Sequence, residues 1–194
     1  FSGVVIKIEN KGNSYEIDAC SGGLLTVAAG EDWDEFVQFT IDKGLANLES
    51  MSGIPGTVGA APIQNIGAYG HEVGEVIARV RTFDRKSREV KTLMASEIEF
   101  GYRTSKFKRD PDRYVILDVT FHLRRGENSL PVTYDELAKE LGVELGARVP
   151  IKDLRAAVLK LRERKGMLLS SGLNSAGSFF MNPIIAKADE SLLP

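Results

Sequence analysis

The sequence is poor in the residues that would staple it or bind a metal. Cys20 is the only cysteine in 194 residues, so no internal disulfide is available. The two histidines, His71 and His122, lie far apart, and no Cys/His cluster has metal-ligand spacing. A reducing, cytoplasmic setting and no metal are the expectations. Charge of one sign is scarce too: 25 Lys+Arg against 27 Asp+Glu leave a formal net charge of -2. That argues against a nucleic-acid partner, whose binder would carry a strongly basic face. No apolar run reaches the ~20 residues that span a bilayer, so no membrane partner is expected. The strand–GxGxxG–helix fingerprint, the Walker A lysine and the G-x-S-x-G elbow are all missing. The chain opens on Phe1 with neither an initiator methionine nor a signal peptide, so its start is expected to be trimmed.

What is present is ordinary for a globular protein, with 43% hydrophobic and 27% charged residues. The length suits one domain, or one domain and part of another, and is enough to bury a core unaided. Residues 3–8, 14–19 and 24–28 alternate as strands, with Lys11-Gly12-Asn13 and Ser21-Gly22-Gly23 as turns between them. Residues 32–41 switch to a helical period, with acidic residues in the first turn and Gly44 as the stop. Residues 45–70 have neither period, almost no charge, and many Gly, Ala and Pro. Strands return at 76–83, 89–93 and 114–123, with a hairpin turn at 84–87 and a basic loop at 102–109. Helices are expected over 133–141 and 153–165; the second has Leu154, Ala157, Val158 and Leu161 on one face and Lys160, Arg162, Arg164 and Lys165 elsewhere.

Three segments stand out chemically. In Ser52–Gly70, glycines let backbone N–H groups converge on an anion, as a pyrophosphate requires; the same composition suits a buried, tightly turning connection. In Gly101–Lys108, Arg103 offers a planar fork of donors beside Tyr102; a solvated basic loop would look the same. In Asn174–Pro183, Ser178 sits between Gly177 and two phenylalanines, either in a dry site or in a turn before a strand.

Together and in this order, the segments Ile54–Gly70 (IPGTVGAAPIQNIGAYG), Tyr102–Ser105 (YRTS) and Ala176–Pro183 (AGSFFMNP) resemble the signatures of the UDP-N-acetylenolpyruvoylglucosamine reductases. The resemblance implies an α+β fold: an FAD-binding domain of the vanillyl-alcohol-oxidase/PCMH type (its second subdomain) over 1–149, then the start of a substrate-binding domain over 150–194. It implies FAD as cofactor and NADPH as hydride donor. The reaction it implies is reduction of UDP-N-acetylglucosamine enolpyruvate to UDP-N-acetylmuramate in peptidoglycan precursor synthesis. No protein partner is indicated.

By the same resemblance, Ser178 is the proton donor and Arg103 the active-site arginine. Tyr134, Lys165, Asn182 and Tyr102 contact substrate. Ser52, Ile54, Pro55, Gly56, Thr57, Gly59, Ala60, Gln64, Asn65, Gly67, Ala68 and Tyr69 hold FAD. Two family features lie outside the sequence, an upstream Gly-Gly-Gly-Ser-Asn loop and a downstream catalytic glutamate; Glu190 is too near the serine motif to be the latter. Truncation at both ends, and inactivity of residues 1–194 by themselves, are therefore expected. Two alternatives stay open: a flavin oxidase acting on a sugar or alcohol, and a non-catalytic nucleotide-binding or assembly module.

Overall fold

The computed structural model describes residues 2–18, 22–173, 181, 182 and 185. Its elements run β1 (Asn13–Asp18), β2 (Gly22–Ala28), α1 (Trp33–Asp42), β3 (Leu45–Ala46), β4 (Gly67–Ala68), β5 (His71–Glu72), β6 (Ile77–Asp84), β7 (Glu89–Met94), α2 (Ala95–Ile98), α3 (Lys106–Arg109), β8 (Tyr114–Arg125), α4 (Asp135–Leu141) and α5 (Ile151–Arg164). This is the α+β architecture expected from the sequence.

An antiparallel sheet in the order β1-β2-β8-β6-β7, with β3 paired to β8, forms the scaffold. β8, the longest strand, runs through its middle, and register aligns the inward side chains in layers. Val119 lies between Val27 and Val80, and Phe121 between Leu25 and Ile77. All six are buried. α1 covers this face because its apolar residues recur at helical spacing (Trp33, Phe36, Val37, Ile41). The rings of Trp33, Phe36 and Phe121 meet with centroids 4.9–6.2 Å apart. Burial of each such ring contributes about 1.5–3 kcal/mol. Asp32 caps α1 by accepting from the Glu35 N–H at 3.0 Å, and Gly44, at φ +68°, turns the chain out of it.

Two expectations from the sequence need correction. Residues 3–8 do not form a strand: Val4, Val5 and Ile6 are 79–86% exposed and join no ladder. A Val-Val-Ile run has β propensity, but propensity makes a strand only when a partner edge is available. The basic loop at 102–109 ends in a helical turn, α3, capped by Ser105.

A second core gathers Val132, Leu137, Ala138, Val149, Leu154, Ala157, Val158 and Leu161 between α4 and α5. Asp34 ties this unit to the first. It accepts both terminal nitrogens of Arg155 on α5, at 2.7 and 2.8 Å, and the N–H of Gly53 at 2.6 Å. Burial pushes the Asp34 carboxyl up, but the bonds from Arg155 and Gly53 outweigh it and hold the group below its ordinary range. Its stabilising contribution is therefore present above the unfolded pKa of about 4 and is lost as pH falls below that toward the lowered folded value. Asp34→Asn is expected to cost about 1–2 kcal/mol at neutral pH, discounted for its partial exposure. Thermal melts at pH 7 and below 4 check this, with the difference shrinking in acid.

Candidate active site

The Ile54–Gly70 run divides into a half that serves the core and a half that faces solvent. Ser52 is fully buried and donates its hydroxyl to Glu49 O at 2.7 Å. Gly59 donates to Ala29 O at 2.9 Å, and a Cβ there would stand 2.5 Å from the Ala29 Cβ. Gly56 lies at φ +125° with open space around it, and its carbonyl accepts from Trp33 N–H at 3.1 Å. Thr57 bridges to Asp32, and Ala60 is exposed on a 3-10 turn. These five positions shape the run but do not line the cleft described below.

The other half turns outward. Asn65 is buried and fully engaged: its amide donates to Glu72 Oε2 (2.6 Å) and Gly101 O (3.1 Å), and its oxygen accepts from Gly74 N–H (2.8 Å). It thereby locks the β4–β5 hairpin to the segment carrying Tyr102 and Arg103. That segment is a tight turn in which Gly101 and Thr104 exchange backbone bonds at 3.0 and 3.1 Å. Ser105 donates to Ile63 O at 2.6 Å and caps α3 through Phe107 N–H at 3.2 Å. Two motifs some forty residues apart are thus fastened side by side.

The α4–α5 unit supplies the third wall. Tyr134, at the start of α4, meets Tyr69 edge-on with centroids 5.5 Å apart. Burial pushes the Tyr69 phenol up, while Arg162 and Lys165 pull against it. Arg162 donates to Gly53 O at 3.2 Å, and burial draws its guanidinium down from the ordinary range. Lys165 closes α5, where Gly166 at φ +66° ends the helix and Met167 N–H bonds back to Arg162 O at 2.8 Å.

These walls enclose an open cleft of about 680 Å³, a size in the range of small-molecule sites. Ile54, Pro55, Gln64, Asn65, Gly67, Ala68, Tyr69, Tyr102, Arg103, Tyr134, Lys165 and Asn182 all line it. Ser178 lies outside the described residues. Ile66, Gly70, His71, Glu72, Glu75, Arg162 and Met167 also line it and were not singled out in the sequence. Arg162 had a usable signal: it stands three residues before Lys165, which puts both on one helix face. The acids are engaged locally, Glu72 with Asn65, and Glu75 with His71 (3.2 Å) and the Glu72 N–H (3.1 Å). The cations Arg103, Arg162 and Lys165 and the rings of Tyr69, Tyr102 and Tyr134 give the cleft a lining that fits an anionic, aromatic dinucleotide.

Backbone strain gathers in the same place. Of the six non-glycine residues with positive φ among the described residues, Asn65, Tyr69 and Arg103 (+50° to +52°) all line the cleft. Such conformations cost energy and persist where the surroundings over-determine them, commonly at functional sites. No helix among the described residues is long and apolar enough to cross a membrane.

Comparison with known proteins agrees with the motifs. The model of an FAD binding domain matches residues 1–92. The UDP-N-acetylenolpyruvoylglucosamine reductase of Cutibacterium acnes is 51% identical over 189 residues, covering 96% of this chain and 50% of that protein. The protein of the same name from Thermobifida fusca is 47% identical over 194 residues, covering 98% and 54%. The crystal structure of the Thermus caldophilus UDP-N-acetylenolpyruvylglucosamine reductase superposes with a TM-score of 0.57 at 24% identity, covering 81% of this chain and 48% of that one, and supports the fold. The chain spans about half the length of these relatives. Over that half, the chain is similar in sequence to proteins named UDP-N-acetylenolpyruvoylglucosamine reductase.

Proposed function

We propose that the chain is the flavin-binding part of an FAD-dependent oxidoreductase that uses NADPH to reduce UDP-N-acetylglucosamine enolpyruvate to UDP-N-acetylmuramate, in the cytoplasm, for peptidoglycan synthesis. The observation that carries this is the convergence of the Ile54–Gly70 run, Arg103, Tyr134 and Lys165 on one cleft, in a chain whose relatives bear that name. FAD, when bound, supplies hydride transfer between NADPH and the enolpyruvyl group. The Ile54–Gly70 run with Ser52 would hold it, the outward half by contact and the inward half by fixing the backbone.

The chain's own residues then have separable tasks. Hydride arrival at the terminal alkene carbon builds negative charge on the carboxylate side, and the Arg103 fork is suited to steady it. Ser178 would hand a proton to the other alkene carbon. Lys165, Tyr134, Tyr102 and Asn182 would grip the UDP-sugar. The division into residues 1–149 and 150–194 belongs to the same proposal. α5 sits at the junction, with Ile151 in the sheet core and Leu154–Leu161 in the second. Because the chain spans half its relatives, the proposed activity resides in the whole protein and not in residues 1–194 alone.

Turnover tests this directly. The whole protein should oxidise NADPH only when UDP-N-acetylglucosamine enolpyruvate is added, and residues 1–194 alone should not. Absence of substrate-dependent NADPH oxidation by the whole protein would remove the assignment in favour of another flavin-enzyme substrate or a binding role.

A further inference from the structure

The helices α4 and α5 are clipped together by two carboxylates one turn apart. Glu140, largely buried, accepts from Lys160 at 2.6 Å and Arg164 at 2.9 Å. Glu136 accepts from Lys165 Nζ at 2.5 Å, and both side chains are over a third exposed. The first clip fastens the helices without touching the cleft. The second engages a cation that lines it. The hydrogen bond it donates to Glu136 holds the Lys165 ammonium above its ordinary range, so the lysine is charged and already partnered before any ligand arrives.

We infer that Glu136 is a positioning residue that parks Lys165 at the rim of the cleft and competes, as a built-in anion, with the diphosphate of the incoming ligand. This rests on the proposed role of Lys165 in ligand binding. The competition follows from placement. A lysine ammonium is a compact point charge with three rotatable donors, and a ligand phosphate reaching it must share or displace the carboxylate. Tyr134 lies two residues before Glu136 at the same end of α4. A ligand that takes Lys165 from Glu136 therefore also loosens the end of the helix that bears Tyr134. The fold does not need Glu136 for this docking, because the Glu140 clip and the apolar seam between α4 and α5 already fasten the pair.

Calorimetric titration of the chain with inorganic pyrophosphate tests this. Glu136→Gln is expected to tighten pyrophosphate binding about two- to fivefold, the factor that an exposed ion pair commands, with the gain shrinking at high salt. In a Lys165→Met background the same change should no longer alter affinity. Glu140→Gln loosens the same helix pair without freeing a cleft cation and should leave affinity unchanged, whatever it does to the melting temperature. Equal or weaker binding by Glu136→Gln would overturn the inference, as would an equal gain from Glu140→Gln, since loosening and not competition would then set affinity. Wild-type affinity in Lys165→Met alone would overturn it too, and would locate the failure in the proposed role of Lys165.

Discussion

Replacing Ser178 by alanine in the whole protein is expected to leave flavin reduction by NADPH intact while slowing flavin reoxidation by the enolpyruvyl substrate about 10²–10⁴-fold, the range for losing a positioned proton donor. The two half-reactions separate because only the second needs a proton at carbon. A serine hydroxyl is a weak acid, yet the carbanion it meets is a far stronger base than water, so placement counts for more than a matched pKa. Alanine removes the hydroxyl and little else, and melting should move little. Stopped-flow measurement of each half-reaction distinguishes the outcomes. Unchanged reoxidation would take Ser178 out of the chemistry and leave its motif with a packing role.

Arg103→Ala should lower turnover about 10²–10³-fold, the usual cost of removing one preorganised donor from a developing charge. The structure makes this a clean test. Arg103 sits at φ +50° in a turn closed by reciprocal Gly101–Thr104 bonds, with its carbonyl accepting from Lys108 Nζ at 2.9 Å. Alanine suffers the same left-handed backbone penalty as arginine, so the turn keeps its cost while the cleft loses its fork. Arg103→Lys should recover only part of the rate, because a point charge cannot reproduce two parallel donors. Full recovery with lysine would mean that charge alone matters, and an active Arg103→Ala would place the residue outside the mechanism. Melting curves for both variants keep a folding defect from being read as a catalytic one.

These residues were accessible from the sequence to different degrees, and the differences have physical causes. Long strands with strong β propensity, such as β8, and helices with a clean apolar face, such as α1 and α5, were legible because their periods are local. Residues 3–8 misled because a strand also needs an edge to pair with. The short elements within residues 45–70 left no periodic trace: each is two or three residues long, held by single backbone bonds and by side chains such as Ser52 and Asn65. Motif resemblance pointed to Tyr69, Arg103 and Lys165, whereas physics alone left each with an ordinary alternative. Arg162 stands in the sequence only as one of the basic residues off the apolar face of α5, since a helix's polar side says nothing about what docks against it. The turn at Gly53, about eighty residues from α4 and a hundred from α5, is what draws Arg162 in. The paired use of Lys165 by Glu136 depends likewise on how α4 and α5 meet, which no local pattern encodes.

The claim on which all of this depends is that the cleft between the Ile54–Gly70 run, Arg103 and the α4–α5 pair is where flavin and substrate meet. A crystal structure of the whole protein with FAD and UDP-N-acetylglucosamine enolpyruvate bound tests it most directly. The isoalloxazine ring should lie against the Gln64–Tyr69 wall, with the enolpyruvyl carboxylate within hydrogen-bond reach of Arg103 and the diphosphate at Lys165 and Tyr134. Flavin and substrate bound elsewhere, with this cleft left open to solvent, would contradict the account.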